Sequence, residues 1–349
     1  MTIRIGVIPG DGIGPEVVDQ GLRVLRRAAE KYGFAYETIP YKWGADHYLA
    51  TGETHPDSAL AEYREMSALL LGAIGDPRVE TGMLERAIIA GIRFKLDLFV
   101  NLRPIKCPAE HINPLKYKKA SDIDMVIIRE NTEDAYVQIG GIFKKDTPDE
   151  VALANMVFTR KGCERVIRYA FEVAKSRPRK KLTLVDKSNA IRPQDVWTRA
   201  FAAVAKEYPG ISTDHAYIDA ACMWMIKSPE WFDTVVTTNL FGDIITDLGA
   251  ELQGGLGVAA SGNIHPGQVS MFEPIHGSAP KYRGQNKANP LATIAAVAML
   301  LEHVGQKKAA AAIQDAVQRL IESRRIPDLS AQSGLKTTEI GDMVVGEIR

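Results

Sequence analysis

The stretch NLFGDIITDLGAEL, residues 239–252, carries two aspartates four positions apart, Asp243 and Asp247. On a helix that spacing sets both carboxylates on one face. Like charges so placed repel, and a divalent cation relieves the repulsion; the plainer alternative is a solvated acidic face. Ile244, Leu248 and Leu252 make the adjacent apolar stripe. Asp219 offers a third carboxylate. With no His or Cys cluster, all-oxygen ligation points to Mg²⁺ or Mn²⁺ rather than Zn²⁺.

Arginines supply the complementary chemistry. Arg93 and Arg103 flank RFKLDLFVNLR, and Arg129 lies in IIRENTEDAY. Guanidinium forks grip carboxylates two bonds at a time, so the set suits a ligand bearing several of them. Lys187, near the end of KLTLVDKSN, serves as a general base if a neighbouring metal lowers its pKa; otherwise it is an exposed lysine. The phenol of Tyr136 is either a proton donor or part of a core.

Such groups need a scaffold that ends its strands in one place. Apolar segments at 3–8, 67–75, 96–104, 124–131, 181–189, 213–220 and 233–239 read as strands, and 15–29, 160–177, 196–208 and 290–304 as helices. The alternation implies an α/β fold. Arg103, Arg129, Glu130, Lys187 and Asp219 fall at strand ends, and Asp243 lies four residues past another. Open α/β sheets bind ligands just beyond those ends. The less regular 140–160 reads as an arm reaching a partner subunit. With no repeat, low-complexity tract or linker, two domains would share chain crossings.

The opening turn, PGDGIGPEV, is glycine-rich without being a dinucleotide fingerprint. Gly10, Gly12 and Gly14 follow G-x-G-x-G, and Pro15 stands where G-x-G-x-x-G needs its third glycine. The pattern predicts a tight strand-to-helix turn that uses glycine backbone angles.

Composition narrows the partners. The 349 residues hold 43 Lys and Arg against 43 Asp and Glu, a net charge of zero. Nucleic-acid and anionic-membrane proteins show a basic excess instead. Cys107, Cys163 and Cys222 have neither disulfide nor metal spacing and fit a reducing compartment. No signal-peptide pattern opens the chain, and apolar runs such as 291–301 are too short to span a bilayer. A cytoplasmic protein is expected, with a small-molecule ligand, no nucleic acid and no membrane.

Taken in order, PGDGIGPEV, NLRP, RENTE…Y, DKSN, NLFGDIITDL and EPIHGSAP…ANP resemble the isocitrate/isopropylmalate dehydrogenase family over essentially the whole chain. The resemblance implies an isopropylmalate dehydrogenase-like two-domain α/β fold, not a Rossmann fold. One domain is built from both chain ends, 1–98 plus 254–349; the central domain, 99–253, carries substrate, metal and dimer contacts. The implied activity is metal-dependent, NAD(P)-linked oxidative decarboxylation of a malate-like acid. Arg93, Arg103 and Arg129 then clamp the malate carboxylates, and Asp219, Asp243 and Asp247 hold Mg²⁺ or Mn²⁺. Lys187 removes the hydroxyl proton, and Tyr136 returns a proton after CO₂ leaves. Lys187 and Asp219 reach the partner's site, so the active unit is a homodimer with shared sites. The loop His276, Gly277, Ser278, Ala279, with Asn289, holds the adenosine.

The same resemblance bears on the acid and the cofactor. Ala87 and Ile89 stand where the isocitrate branch places a serine and an asparagine, and Ala90 where the homoisocitrate branch has an arginine. An apolar lining rejects a third carboxylate, because a buried unpaired charge is costly. That leaves an alkyl group, as in 3-isopropylmalate of leucine biosynthesis, or none, as in D-malate and tartrate. Ala190, in KSNAI, and the segments WGADHYLATGE and VFTRKGCERVIRYAF resemble the D-malate/tartrate branch. Lys281 and Tyr282 resemble the NADP-dependent isocitrate branch, but the segment 326–333 supplies neither its second tyrosine nor its arginine. The expectation is NAD, with NADP accepted. The family also contains non-catalytic regulatory subunits that have lost acid, base or metal residues; the full set here implies an active enzyme.

Overall fold

The computed structural model describes residues 2–330 and 333–349. Ala331 and Gln332, within the segment 326–333, lie outside them. The chain divides into two compact units: 1–98, 103–123 and 250–349 form the first, and 99–102 and 124–249 the second. The expected division put all of 99–253 in the central domain. Residues 103–123 and 250–253 belong instead with the chain ends, and the Lys106 amide donates to Gln253 Oε1 at 3.3 Å within that unit.

The first unit opens with β1 (Ile3–Gly10) and α1 (Gly14–Tyr32). Gly10 and Gly12 take φ of +73° and +55°, the left-handed angles the sequence called for. Pro15 sits in the first turn of α1, where its missing N–H costs nothing. Then come β2 (Tyr36–Pro40), α2 (Ala45–Thr51), α3 (Asp57–Arg64) and β3 (Ala68–Ala73). β1 pairs in parallel with both β2 and β3. A π-helical turn, Glu85–Ala90, runs into α4 (Gly91–Lys95), and β4 (Val100–Lys106) carries the chain across the unit boundary.

The second unit continues with β5 (Asp124–Glu130), β6 (Gly140–Phe143), β7 (Val151–Ala154), α5 (Arg160–Ser176), β8 (Lys181–Asp186) and α6 (Asp195–Ala205). β9 (Ser212–Tyr217), α7 (Ile218–Lys227), β10 (Thr234–Thr237) and α8 (Asn239–Leu252) follow. Its main strands run in the order β5-β10-β8-β9, all parallel, which demands a crossover between neighbours. The segment 213–220, expected as strand throughout, stops being strand at Tyr217. Asp219 therefore sits in the first turn of α7, where an acidic side chain complements the helix dipole. β6 and β7 form an antiparallel hairpin with Ile142, Phe143, Val151 and Leu153 exposed.

The chain returns to the first unit through β11 (Ala260–Ile264) and β12 (Met271–Pro274), which pair antiparallel, while β12 pairs in parallel with β3. Helices α9 (Leu291–His303), α10 (Lys307–Glu322) and α11 (Thr337–Glu347) complete it. α9 is apolar nearly all round because it packs on β12, α1 and α10 at once. Among the described residues no helix is long and apolar enough to cross a membrane. Cys107 and Cys163 are buried, Cys222 is half-buried, and all three are free.

Candidate active site

The first group of site residues gathers where β5 ends and α8 begins, within the second unit. Arg129, the penultimate residue of β5, is 2% exposed, so its charge must be met by partners. Its Nε donates to Asn239 Oδ1 at 3.0 Å and its Nη1 to Asp243 Oδ1. Tyr136 donates its hydroxyl to the other oxygen of Asp243 at 2.8 Å, and its ring centre lies 5.3 Å from the guanidinium. One carboxylate thus orients the arginine and the phenol together. Asp247, one turn further along, is exposed.

Local sequence explains how the group closes. A Cβ on Gly242 would come 2.4 Å from Arg129 Cγ, so only glycine lets α8 approach the arginine stem. The Leu240 amide, in the first turn of α8, donates to Asp134 Oδ2 at 2.9 Å. Glu130, next to Arg129, is buried, and burial pushes its carboxyl up to about 7 although Thr132 and the Glu133 amide pull it down. The apolar stripe read as Ile244, Leu248 and Leu252 does not hold. Ile245 and Leu252 are buried, while Ile244 is 56% exposed. Steps of four drift by about 40° on a helix of 3.6 residues per turn, so the first and last members face differently.

The second group lies at the end of β8. Lys187 Nζ contacts Asp219 Oδ1 at 2.7 Å, and the lysine holds that carboxyl below the usual carboxylate range. The backbone around Lys187 is fixed from below. Gln194 Oε1 accepts from the Lys187 amide at 2.7 Å. The preceding residue, Asp186, is fully buried and accepts from the Ser188 amide at 2.9 Å, with His215 Nε2 3.1 Å away. That bond raises the pKa of His215. Ala190, three residues past Lys187, is exposed.

Asp243 and Asp247 present two carboxylates from one helix, a donor set that fits a hard divalent cation. Asp219 is engaged with Lys187 instead. Among the described residues no three His, Cys, Asp or Glu side chains group to hold a metal ion.

In the first unit, Arg93 Nη2 donates to Glu273 Oε1 at 2.7 Å, and Asn263 steadies the same oxygen at 2.7 Å. Arg103 is 4% exposed on β4. Ile89 and Ala90 belong to the π-helical turn and are half-buried, with Ile89 packed on the core that contains Ile88 and Ile92. π-Helical turns are frequent at functional sites.

The loop after β12 carries the expected nucleotide residues. Ser278 O accepts from the Ile13 amide at 2.8 Å, and a Cβ on Gly12 would meet that oxygen at 1.9 Å. The glycine turn and this loop therefore make one backbone cradle. His276 Nε2 is buried with no partner among the described residues, and burial lowers the histidine's pKa. An orphaned ring nitrogen beside exposed Gly277 fits a ligand that supplies the missing partner. Ala279 takes φ +40°, and Pro280–Tyr282 form a short turn with Lys281 Nζ 4.8 Å above the Tyr282 ring. Asn289 turns inward: Nδ2 donates to Leu329 O at 2.9 Å, and Oδ1 accepts from the Leu291 amide at 3.0 Å.

Asn239, Gly242, Glu273 and the Asp186–His215 pair were not singled out from sequence. All but His215 lie inside motifs that carry the family resemblance, Asn239 and Gly242 in NLFGDIITDL, Glu273 in EPIHGSAP and Asp186 in DKSN, but nothing in their local spacing showed what they would touch.

A profile of the isocitrate/isopropylmalate dehydrogenase family matches residues 4–344. The chain is 47% identical to the 3-isopropylmalate dehydrogenase of Thermobifida fusca (strain YX), over 99% of this chain and 98% of that one. It is 48% identical to the protein of the same name from Streptomyces coelicolor, over 99% of each. Among solved structures, the isocitrate dehydrogenase from Methylococcus capsulatus superposes with a TM-score of 0.90 at 38% identity, covering 100% of both chains.

Proposed function

Because the chain belongs to the isocitrate/isopropylmalate dehydrogenase family, we propose that it oxidatively decarboxylates a 3-alkyl-malate, with 3-isopropylmalate as the substrate and leucine biosynthesis as the pathway. The carrying observation is the group Arg129–Asp243–Tyr136, where one carboxylate orients both a carboxylate-binding cation and a proton donor. When bound, NAD would supply the hydride acceptor for C2, and Mg²⁺ or Mn²⁺, which Asp243, Asp247 and the partner's Asp219 would hold, would supply the charge that acidifies the C2 hydroxyl. Arg93, Arg103 and Arg129 hold the malate carboxylates. Lys187, its amine positioned by Asp219, accepts the hydroxyl proton. Oxidation leaves a carboxylate β to the new ketone, which departs as CO₂, and Tyr136 delivers a proton to the carbon it vacates.

The shared homodimeric site is supported by the absence of a three-carboxylate group among the described residues and by the apolar hairpin β6–β7. A cytoplasmic location is supported by three free cysteines. His276, Gly277, Ser278, Ala279, Lys281, Tyr282 and Asn289 make up the nucleotide loop, with NAD as the cofactor and NADP accepted.

Ile89 and Ala90 offer an alkyl surface and no cation, which favours 3-isopropylmalate over isocitrate. Burying the isopropyl group contributes about 2 kcal/mol, roughly thirtyfold in kcat/KM. The test is a panel of 3-isopropylmalate, D-malate, tartrate, isocitrate and homoisocitrate, with NADH formation and CO₂ release measured on the purified chain with Mg²⁺. The proposal requires 3-isopropylmalate to lead. A lead for D-malate or tartrate moves the enzyme to that branch, and no turnover with any acid makes the chain a regulatory subunit.

A further inference from the structure

Arg283 follows Lys281 and Tyr282 directly, within the first unit, and its partner is specific. Arg283 Nη2 donates to Asp46 Oδ2 at 2.8 Å, while Arg78 Nη2 donates to Asp46 Oδ1 at 2.7 Å. Both arginines hold the Asp46 carboxyl below the usual carboxylate range, Arg283 more strongly. Arg78 has a second carboxylate, binding Asp76 through Nε and Nη2 at 2.8 Å each. Removing Asp46 therefore leaves Arg78 paired and releases Arg283.

Asp46 lies in the first turn of α2 and lines a cavity of about 620 Å³ with Gly10, Lys42 and Trp43. The cavity sits at the carboxyl ends of β1 and β2, where an α/β unit receives ligands. The Asp46, Arg78 and Arg283 side chains are about half exposed or more, so the pairing adds little to folding stability and Asp46 can be replaced without disturbing the fold.

We infer that Asp46 is a specificity-determining residue for the nucleotide cofactor: it withholds Arg283 from a 2′-phosphate and repels that phosphate, and so tilts the loop toward NAD over NADP. The inference rests on the nucleotide reading of residues 276–289. Without Asp46, Lys281 and Arg283 form a two-cation clasp two residues apart, the fork chemistry that a phosphate dianion prefers.

Calorimetric titration separates the terms without turnover. Wild type, Asp46→Asn, Asp46→Ser, Arg283→Ala and the double variant Asp46→Asn/Arg283→Ala are each titrated with 5′-AMP, 2′,5′-ADP and inorganic phosphate, after thermal melts confirm folding. The expected result is about tenfold tighter 2′,5′-ADP binding in both Asp46 variants, 5′-AMP unchanged within twofold, and loss of the gain in the double variant. Unchanged 2′,5′-ADP affinity, or a gain that survives in the double variant, overturns the inference. So does an equal gain for inorganic phosphate, which would make the pair a general anion site. If wild type binds neither nucleotide, the nucleotide reading of the loop fails first.

Discussion

Gly242→Ala tests whether α8 and Arg129 form one mechanical unit. The added Cβ would lie 2.4 Å from Arg129 Cγ and 2.7 Å from Arg129 Cβ. Carbon atoms pack at about 3.5–4.0 Å, so stem and helix must separate by roughly 1 Å. The arginine cannot swing aside, because it is 2% exposed and tied to Asn239 and Asp243. Overpacking of this kind costs about 1–3 kcal/mol. Replacing glycine by alanine inside a helix returns about 1 kcal/mol, so the net loss of stability is about 0–2 kcal/mol. Activity responds more steeply, since a displacement of ~1 Å in a clamping group costs about a hundredfold. The assay pairs kcat/KM for 3-isopropylmalate with urea unfolding. A folded protein with kcat/KM reduced about a hundredfold is expected. Turnover within threefold of wild type would refute the claim that the close approach positions Arg129.

Three further outcomes are expected, the second of them resting on the proposed shared site. Asp247→Asn removes an exposed carboxylate, so it should leave unfolding unchanged while kcat/KM falls about a hundredfold and the Mg²⁺ requirement rises; retained metal affinity, by titration, rejects Asp247 as a ligand. Lys187→Met and Arg129→Ala homodimers should be nearly inactive, yet mixed dimers should regain up to half the activity, because one of two sites keeps both residues; no recovery in demonstrated heterodimers rejects the shared site. His215 has its folded pKa raised by Asp186, so its stabilising contribution is complete below its ordinary pKa and fades as pH rises through the folded value. The urea midpoint of His215→Asn should therefore trail wild type more at pH 5.5 than at pH 8.5, and a constant gap would exclude the charged pair.

Much of the site was legible because its chemistry is written locally. The i, i+4 carboxylates of α8, the glycine turn after β1, and the ionic residues closing β5 and β8 are readable from a few neighbouring residues. What escaped depends on residues far apart in sequence. Glu273 meets Arg93 across 180 positions, and His215 reaches Asp186 only because β8 and β9 pair in register. Asp219 looked like a strand end because TDHAYIDA continues the apolar pattern, yet Ile218–Lys227 has a helix face to bury and wins. The unit boundary was misread at 103–123 for a related reason: periodicity marks elements but not which core an element joins.

The order in which a ribosome delivers these strands has a cost of its own. β3, ALLLGA, is buried at every position and lies between β1 and β12, with Leu69 opposite Met271 and Leu70 opposite Phe272. β1 is made early, but β12 emerges about two hundred residues after β3. At 5–20 residues per second the nascent chain waits about 10–40 s with that edge uncapped. During the wait the second unit, which needs nothing after residue 249, has been synthesised in full. An unpaired, wholly apolar edge templates pairing with other chains. Synthesis of this protein thus carries a window of vulnerability, set by connectivity rather than by final stability, in which a holdase chaperone protects yield and a slowed ribosome lowers it.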